Sequence, residues 1–308
     1  MIEHETGGDP MNDQKWVRLS LERLAELLSE RGHWLDPKTV SRLLVKHGYS
    51  PKANRKRFTG PPHPDRDLQF RHIARYKKRF LGAGWPIISV DAKKKELIGN
   101  FKNPGRRWCR EAQEVNAYDF ITDAVCRATP YGIYGLNHGR GYVYAGTSAD
   151  TPEFAVDAIS RWWKEEGRIQ FGGCSRILLL ADSGGSNGCR ARLWKMRLQE
   201  RVADAYGLSV TVCHYPRGGS KWNPVEHRLF SKISINWAGI PLSSVAVMLA
   251  SIRGTNVGGH AVHARLMEKH YKTGVKVGKQ DFATLRLLRH KTCPSWNYTI
   301  RPRTKRHT

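Results

Sequence analysis

Acidic residues are scarce in this sequence: 27 Asp and Glu stand against 52 Lys and Arg, leaving a formal net charge of +25. That surplus is far more than solubility requires. It excludes a chain built to meet basic partners and draws the protein toward a polyanion, because each neutralised phosphate releases condensed counterions. Cysteine offers little either. Cys109, Cys126, Cys174, Cys189, Cys213 and Cys293 never fall into a C-x-x-C pair, so a zinc ribbon or a thiol redox motif is not expected. No stretch has the pattern of a secretory signal, and no run approaches the ~18 apolar residues of a membrane span. The basic residues are spread along the chain instead of lining one amphipathic helix, which disfavours a membrane surface. The reducing cytoplasm, with the nucleoid as polyanionic neighbour, is the expected compartment. Internal repeats are lacking. What the chain does have is apolar material: 40% of its 308 residues are hydrophobic, and 10 residues are tryptophan. That is enough for a full core and for more than one domain.

Residues 1–15 read as a polar, disordered start. From Ser20, SLERLAELLSERGH sets Leu21, Leu24, Ala25 and Leu28 at helical spacing until Gly32. Asp36-Pro37 opens a second helix with a capping residue and a proline at the first helical position. Its stripe is Val40, Leu43 and Leu44, and Gly48 stops it. Two short helices joined by a glycine-containing turn fit a small all-α helix-turn-helix over 16–50. Lys38, Thr39, Ser41 and Arg42 on the exposed face of the second helix are the DNA-binding candidates. Proline clustering in PKANRKRFTGPPHPDRD, followed by the basic helix-like run RHIARYKKRF, marks 51–84 as a basic linker.

Beyond Trp85 the pattern changes. WPIISVD reads as an apolar strand ending on Asp91, followed by a turn and second strand in AKKKELIGNFK; YGIYGL and GYVYAGTS read as further strands. A helix starts at Thr151-Pro152, RILLLAD is a continuous apolar strand of the kind buried on both faces, and a basic helix, the strand LSVTVCHYP and a helix from Asn223 complete the series. This order predicts an α/β fold over 85–240, a mixed sheet flanked by helices on both faces, with 241–308 as a basic C-terminal extension.

The stretch ILLLADSGGSNG (177–188) allows two readings. Taken from Gly184 it fits G-x-S-x-G, the elbow of a serine hydrolase, with Ser186 as nucleophile and Glu226 plus His260 or His263 as partners. The oxyanion motif of the HGGG type is missing, however, and ester hydrolysis has no use for +25. Taken from Asp182 it shows a carboxylate at a strand end, followed by glycines that let backbone or phosphate approach. Asp91 occupies the same kind of position, and in α/β sheets chemistry gathers at the carboxyl ends of strands. Glu226, in SKWNPVEHRLFS, stands in the first turn of a helix and supplies a third acid.

Phosphodiester chemistry needs charge repulsion removed and a leaving oxygen stabilised, which two Mg²⁺ ions roughly 4 Å apart on hard oxygen ligands accomplish. Each acid also has a bland use: a strand-end Asp forms turns and caps, and Asn223-Pro224-Val225-Glu226 has the spacing of a capping box. The combination of three acids with a strongly cationic chain favours the metal-binding reading. Lys93, Lys94 and Lys95 are placed to hold a DNA backbone or to form a solvated hairpin. The pair in H-A-V-H (260–263) has no third ligand in view and reads as a surface pair. From Phe282 onward there are seven Lys or Arg and no acid, a tail that binds DNA or is merely basic.

Taken together, SVDAKKKELIGNFKNPGRRW, PYGIY, LLLADSGGSN, CHYP, SKWNPVEHRLFS and SWNYTI resemble the Rhodopirellula-type DDE transposases of bacterial insertion sequences, from about Trp16 to Pro302. NPVE is also similar to the NP-x-E element around the last acid of related cut-and-paste transposases. The resemblance implies a ribonuclease-H-like catalytic domain with an acidic triad on Asp91, Asp182 and Glu226. It implies two Mg²⁺ ions, for which Mn²⁺ can substitute, and strand cleavage followed by transfer of the 3′-hydroxyl. The implied partners are double-stranded DNA at the element's ends and target, and a second copy of the chain in a dimer or larger synaptic complex. Two departures stand out. Ser183 replaces a glycine common in the family, and family members begin further upstream with additional helical DNA-binding sequence. A shortened copy that binds DNA without catalysis, as a repressor, is therefore the alternative expectation; a nuclease that cuts without strand transfer is another.

Overall fold

The computed structural model of the protein describes residues 6–8, 15–17, 19–52 and 63–303, the first two stretches as backbone alone. The chain divides into two compact units, Met1–Thr59 and Gly60–Thr308.

Capping decides where the helices of the first unit begin. Ser20 Oγ accepts the Arg23 backbone N–H at 3.2 Å and opens α1 (Leu21–Ser29). Asp36 Oδ1 accepts the N–H groups of Lys38 and Thr39 at 2.7 and 3.1 Å and opens α2 (Pro37–Lys46). Leu24 and Val40 are buried, as the helical spacing requires, whereas Leu43 lies 40% exposed. β1 (Thr6–Gly8), in the stretch 1–15 expected to be disordered, pairs through its backbone antiparallel with β2 (Lys15–Val17).

The second unit begins with α3 (Arg66–Gly82) and continues through β3 (Ile87–Ala92), β4 (Glu96–Ile98), β5 (Cys126–Gly135) and β6 (Arg140–Gly146). Next come α4 (Pro152–Trp162), which runs through a π-helical turn (Trp163–Gly167) into α5 (Arg168–Gln170), and then β7 (Arg176–Asp182). α6 (Arg192–Leu198) likewise widens into a π-helical stretch (Gln199–Asp204) ahead of β8 (Ser209–Tyr215). A π-helical segment (Val225–Phe230) leads into α7 (Ser231–Asn236), followed by α8 (Val245–Arg253) and the small hairpin of β9 (Asn256–Val257) and β10 (His260–Ala261). β11 (His263–Met267), α9 (Lys279–Ala283), β12 (Leu287–Arg289) and β13 (Asn297–Ile300) close the series.

The large sheet runs β11-β6-β5-β3-β7-β8-β13-β12, with β4 paired to β5. β3, β7 and β8 are parallel, while β5 is antiparallel to β3 and β6 to β5. An antiparallel meander of β3, β5 and β6 that continues through parallel crossover strands is the ribonuclease-H-like arrangement. Strand alternation sorts the core into two faces. Ile88, Val90, Ile177, Leu179 and Ala181 meet Trp162 of α4 and Trp194 of α6. On the other face Ile87, Leu178 and Leu180 meet Ile73 and Phe80 of α3, and Val143, Ala145 and Ala264 meet Leu229, Ile233, Met248 and Ile252 of the later helices.

Two expectations about organisation need correction. The stretch expected as a linker, 51–84, contains α3, which buries Gln69, His72, Ile73 and Phe80. It is a covering layer of the sheet. The extension expected at 241–308 supplies β11, β12 and β13, and β13 adds antiparallel to β8. Charge obscured the first: α3 reads RDLQFRHIARYKKRFLG, and cations on its solvent side hide a narrow apolar stripe.

Candidate active site

Parity along the strands aims the two aspartates. Asp91 shares the side of Ile87 and Ser89, and Asp182 the side of Leu178 and Leu180, so both face the α3 side of the sheet. The register Ser89↔Leu180 and Val90↔Ala181 carries Asp91 and Asp182 to the next rung. On the flanks, Asp91 pairs with Gly132 and Asp182 with Tyr215. The rung is thus Gly132, Asp91, Asp182, Tyr215 from β5 to β8.

Glu226 reaches this rung because Gly132 has no side chain. A Cβ at Gly132 would collide with the Phe230 ring and lie 2.9 Å from Val225 Cγ2. A Cβ at Gly141 would lie 2.6 Å from Leu229 Cδ1. The π-helical segment thus settles onto a floor of two glycines, with Val225, Leu229 and Phe230 buried under it and Glu226 left partly exposed toward the acids. Its wide turn is a rare form that recurs at functional sites.

Buried polar groups hold the carboxylates in place. Asn223 Nδ2 donates to Asp182 Oδ1 at 3.0 Å, and Asn223 Oδ1 accepts from Ser89 Oγ. Ser89 Oγ in turn accepts the Val225 N–H at 3.0 Å. Ser89 and Asn223 are both fully buried. The capping box weighed as an alternative use of 223–226 does not form: the Asn223 side chain ties β3, β7 and the start of the Glu226 segment together, and only its backbone carbonyl meets the Glu226 N–H, at 3.1 Å. Asp91 Oδ1 accepts the Ala92 N–H at 2.8 Å and lies 3.4 Å from Asn187 Nδ2, while Asn187 Oδ1 accepts from Tyr131 at 2.7 Å. Beneath Asp182, its backbone carbonyl lies 2.8 Å from His214 Nδ1, which must donate. His214 Nε2 then accepts from Tyr298, whose oxygen accepts from Trp194 Nε1 at 2.9 Å. Burial pulls His214 down to about 4, so the ring stays neutral.

The electrostatics follow from this crowding. Burial, then the charges of Asp182 and Glu226, push the Asp91 carboxyl up to about 8, and a hydrogen bond to Glu226 favours its protonated form. Asp182 is raised by burial; the Asn223 amide opposes this and the charge of Glu226 adds to it. Burial also raises a fourth acid, Asp150, whose charge is felt at Tyr131 together with that of Asp91. Among the described residues no three His, Cys, Asp or Glu side chains form a finished metal cage. The donors nevertheless fit hard divalent cations in kind. They are converging oxygens with a shortage of positive charge, and the ion pairs of the described residues lie elsewhere.

The other candidates separate. Lys38 and Arg42 are exposed on α2, Ser41 is half-buried, and the Thr39 hydroxyl donates to Asp36 Oδ2 at 2.7 Å. Lys93 is already engaged, 2.6 Å from Glu96 Oε1 and 4.7 Å from the centre of the Trp237 ring, whereas Lys94 and Lys95 are exposed. Ser186 is buried, it acts on the Asp150 carboxyl, and no histidine hydrogen-bonds to it among the described residues, so nothing supports the hydrolase reading. His263 Nδ1 lies 3.1 Å from Glu166, and His260 is exposed. Sequence reasoning missed Ser89, Gly132, Asn187 and the site role of Asn223. Only Ser89 left a readable signal, a polar residue on the buried face of an apolar strand.

An acidic rung on a ribonuclease-H-like sheet, closed by a glutamate from a helix start, defines the class. The family described as Rhodopirellula transposase DDE domain matches residues 1–302, and the chain belongs to it. Among solved structures, the chain is similar to a Mos1 transposase paired-end complex with left transposon end, at 16% identity and TM-score 0.42, over 74% of this chain and 64% of that one. It is also similar to the Mos1 strand transfer complex, at 16% identity and TM-score 0.44, over 78% and 71%. The chain thus spans somewhat under two thirds of the first of these relatives. No curated protein sequence matches it. Among the described residues no helix is long and apolar enough to cross a membrane.

Proposed function

We propose that the protein is a DNA transposase that cleaves strands at the ends of an insertion sequence and transfers the 3′-hydroxyl to target DNA, with Asp91, Asp182 and Glu226 as its catalytic acids. The observation that carries this reading is an imbalance of charge. In a chain of +25, three acids converge at one end of the sheet, and none is ion-paired to a Lys or Arg among the described residues. A site that gathers unpaired carboxyl groups where cations are plentiful is reserved for an external cation.

Two divalent ions, Mg²⁺ or Mn²⁺, would supply an activated hydroxyl and a stabilised leaving oxygen. Asp91 and Asp182 would hold them from the sheet and Glu226 from the helix side. Asn223 orients Asp182 and opposes the rise of its carboxyl, and Asp91 must surrender its proton before it can ligate. Lys38 and Arg42 of α2, with Lys94 and Lys95, are the proposed phosphate contacts; Thr39 and Ser41 stand beside the first pair, and Lys93 is held by Glu96. Joining two ends calls for two copies of the chain.

The test is nicking and strand transfer on DNA carrying the element's ends, with Mg²⁺. Asp182→Asn and Glu226→Gln should each reduce cleavage to background while leaving DNA binding intact. Wild-type rates in either variant would end the assignment. Salt-sensitive binding without any cleavage in the wild type would favour the repressor alternative.

A further inference from the structure

Trp222 is a partly exposed aromatic in a loop of otherwise small and basic residues, PRGGSKWNP (216–224). We propose that its indole seats an unpaired nucleobase at the reacting end of the DNA, with Lys221 and Arg66 taking the adjacent phosphates. This inference rests on the DNA-transposase reading above.

The ring is held still. Gly218 has φ +73°, and a Cβ on Gly219 would lie 2.7 Å from the Pro216 carbonyl oxygen, so the turn needs both glycines. The Gly219 N–H donates to Pro216 O at 2.8 Å, the Trp222 N–H to Gly219 O at 2.9 Å, and the Asn223 N–H to Ser220 O at 2.8 Å. Phe70 of α3 meets the indole edge-on, 5.1 Å between centroids at 60°. The next residue is Asn223, whose amide lies on Asp182. The indole is therefore fixed in position relative to the acids, yet 41% of Trp222 stays exposed.

Its surroundings suit a nucleotide. Lys221 Nζ lies 4.1 Å and Arg66 Cζ 4.8 Å from the indole centroid, and no acid occurs between Asp204 and Glu226. Every base offers a π-face and every nucleotide an anion, so an aromatic flanked by cations binds both at once. On stacking, the exposed lysine exchanges the ring for a phosphate. An apolar protein side chain in the same place would have to desolvate two cations without return. Inside a duplex both faces of a base are already stacked, so the indole can take only an end or unpaired base.

The experiment uses the full chain in EDTA, to prevent cleavage, and three labelled duplexes: one with an unpaired 3′ extension, one blunt, and one whose extension is abasic. Anisotropy titrations should show the wild type preferring the intact extension about 5- to 100-fold over the other two. Trp222→Leu should lose that preference, Trp222→Phe keep part of it, and Lys221→Gln lower the salt slope by about one. If the wild type binds all three DNAs equally, the inference falls and the transposase reading survives. If it binds none, both fall. The abasic comparison uses wild-type protein and so holds even if Trp222→Leu does not fold; full preference in a folded Trp222→Leu would also overturn the proposal.

Discussion

Asp91 buries an acid among acids, and that choice has a cost with a definite sign. Its folded value of about 8 lies above the unfolded value near 4. Between those limits the folded chain keeps a proton that the unfolded chain releases, so its contribution to stability is present at low pH and is lost as pH rises through about 8. The melting temperature of metal-free protein should fall across that window, and Asp91→Asn should flatten the slope. At pH 7, Mn²⁺ binding should eject about one proton per chain, read by calorimetry in buffers of different ionisation enthalpy. Asn223→Ala removes the amide that opposes the rise of Asp182, so the Asp182 carboxyl should climb further in a carbon-13 titration. The same change leaves the buried Ser89 O–H donor without its acceptor and should cost about 1–3 kcal/mol in urea unfolding. Asp91 and Asp182 were legible because an acid closing an apolar strand is conspicuous. The task of Asn223 was not, because Asn before Pro reads equally well as a cap, and only the fold reveals that its side chain crosses to β7.

The segment bearing Glu226 depends on the glycine floor. Gly132→Ala should push Phe230 and Val225 away, costing about 1–3 kcal/mol of stability. Because those residues carry Glu226 over the rung, cleavage should fall far more than stability, and Mn²⁺ affinity should weaken with it. A variant with normal metal affinity and normal cleavage would show that the floor does not set the position of Glu226. Among the elements, β3, β7 and β8 could be read directly as short apolar runs, and the helix after Thr151-Pro152 announced itself by its cap. The two glycines could not be read this way. PYGIYG gives no sign that Gly132 is the register partner of Asp91, since pairing across a sheet is a long-range property. The helical character of α3 was legible but its burial was not, and β13 was missed altogether, because a mostly charged helix and a four-residue strand declare their burial only through their partners.

At the scale of the molecule, net charge sets how binding responds to salt. The affinity of the full chain for mixed-sequence duplex should fall linearly in log–log form with salt, at about 0.9 per phosphate engaged. Replacing Lys38 and Arg42 together should lower that slope by about two without altering cleavage chemistry on DNA already bound. A slope near zero would remove phosphate contact as the basis of affinity. The charge and the fold class were legible from composition and element order, whereas the sheet's outer strands were not, because β11 and β13 join it from beyond the last acid. The same dispersal makes the chain fail-safe. Its acids arrive from three distant segments and meet only once β3, β7 and the glycine floor have assembled, so on the proposed reading a chain that stops or is cut before the segment bearing Glu226 carries no working nuclease.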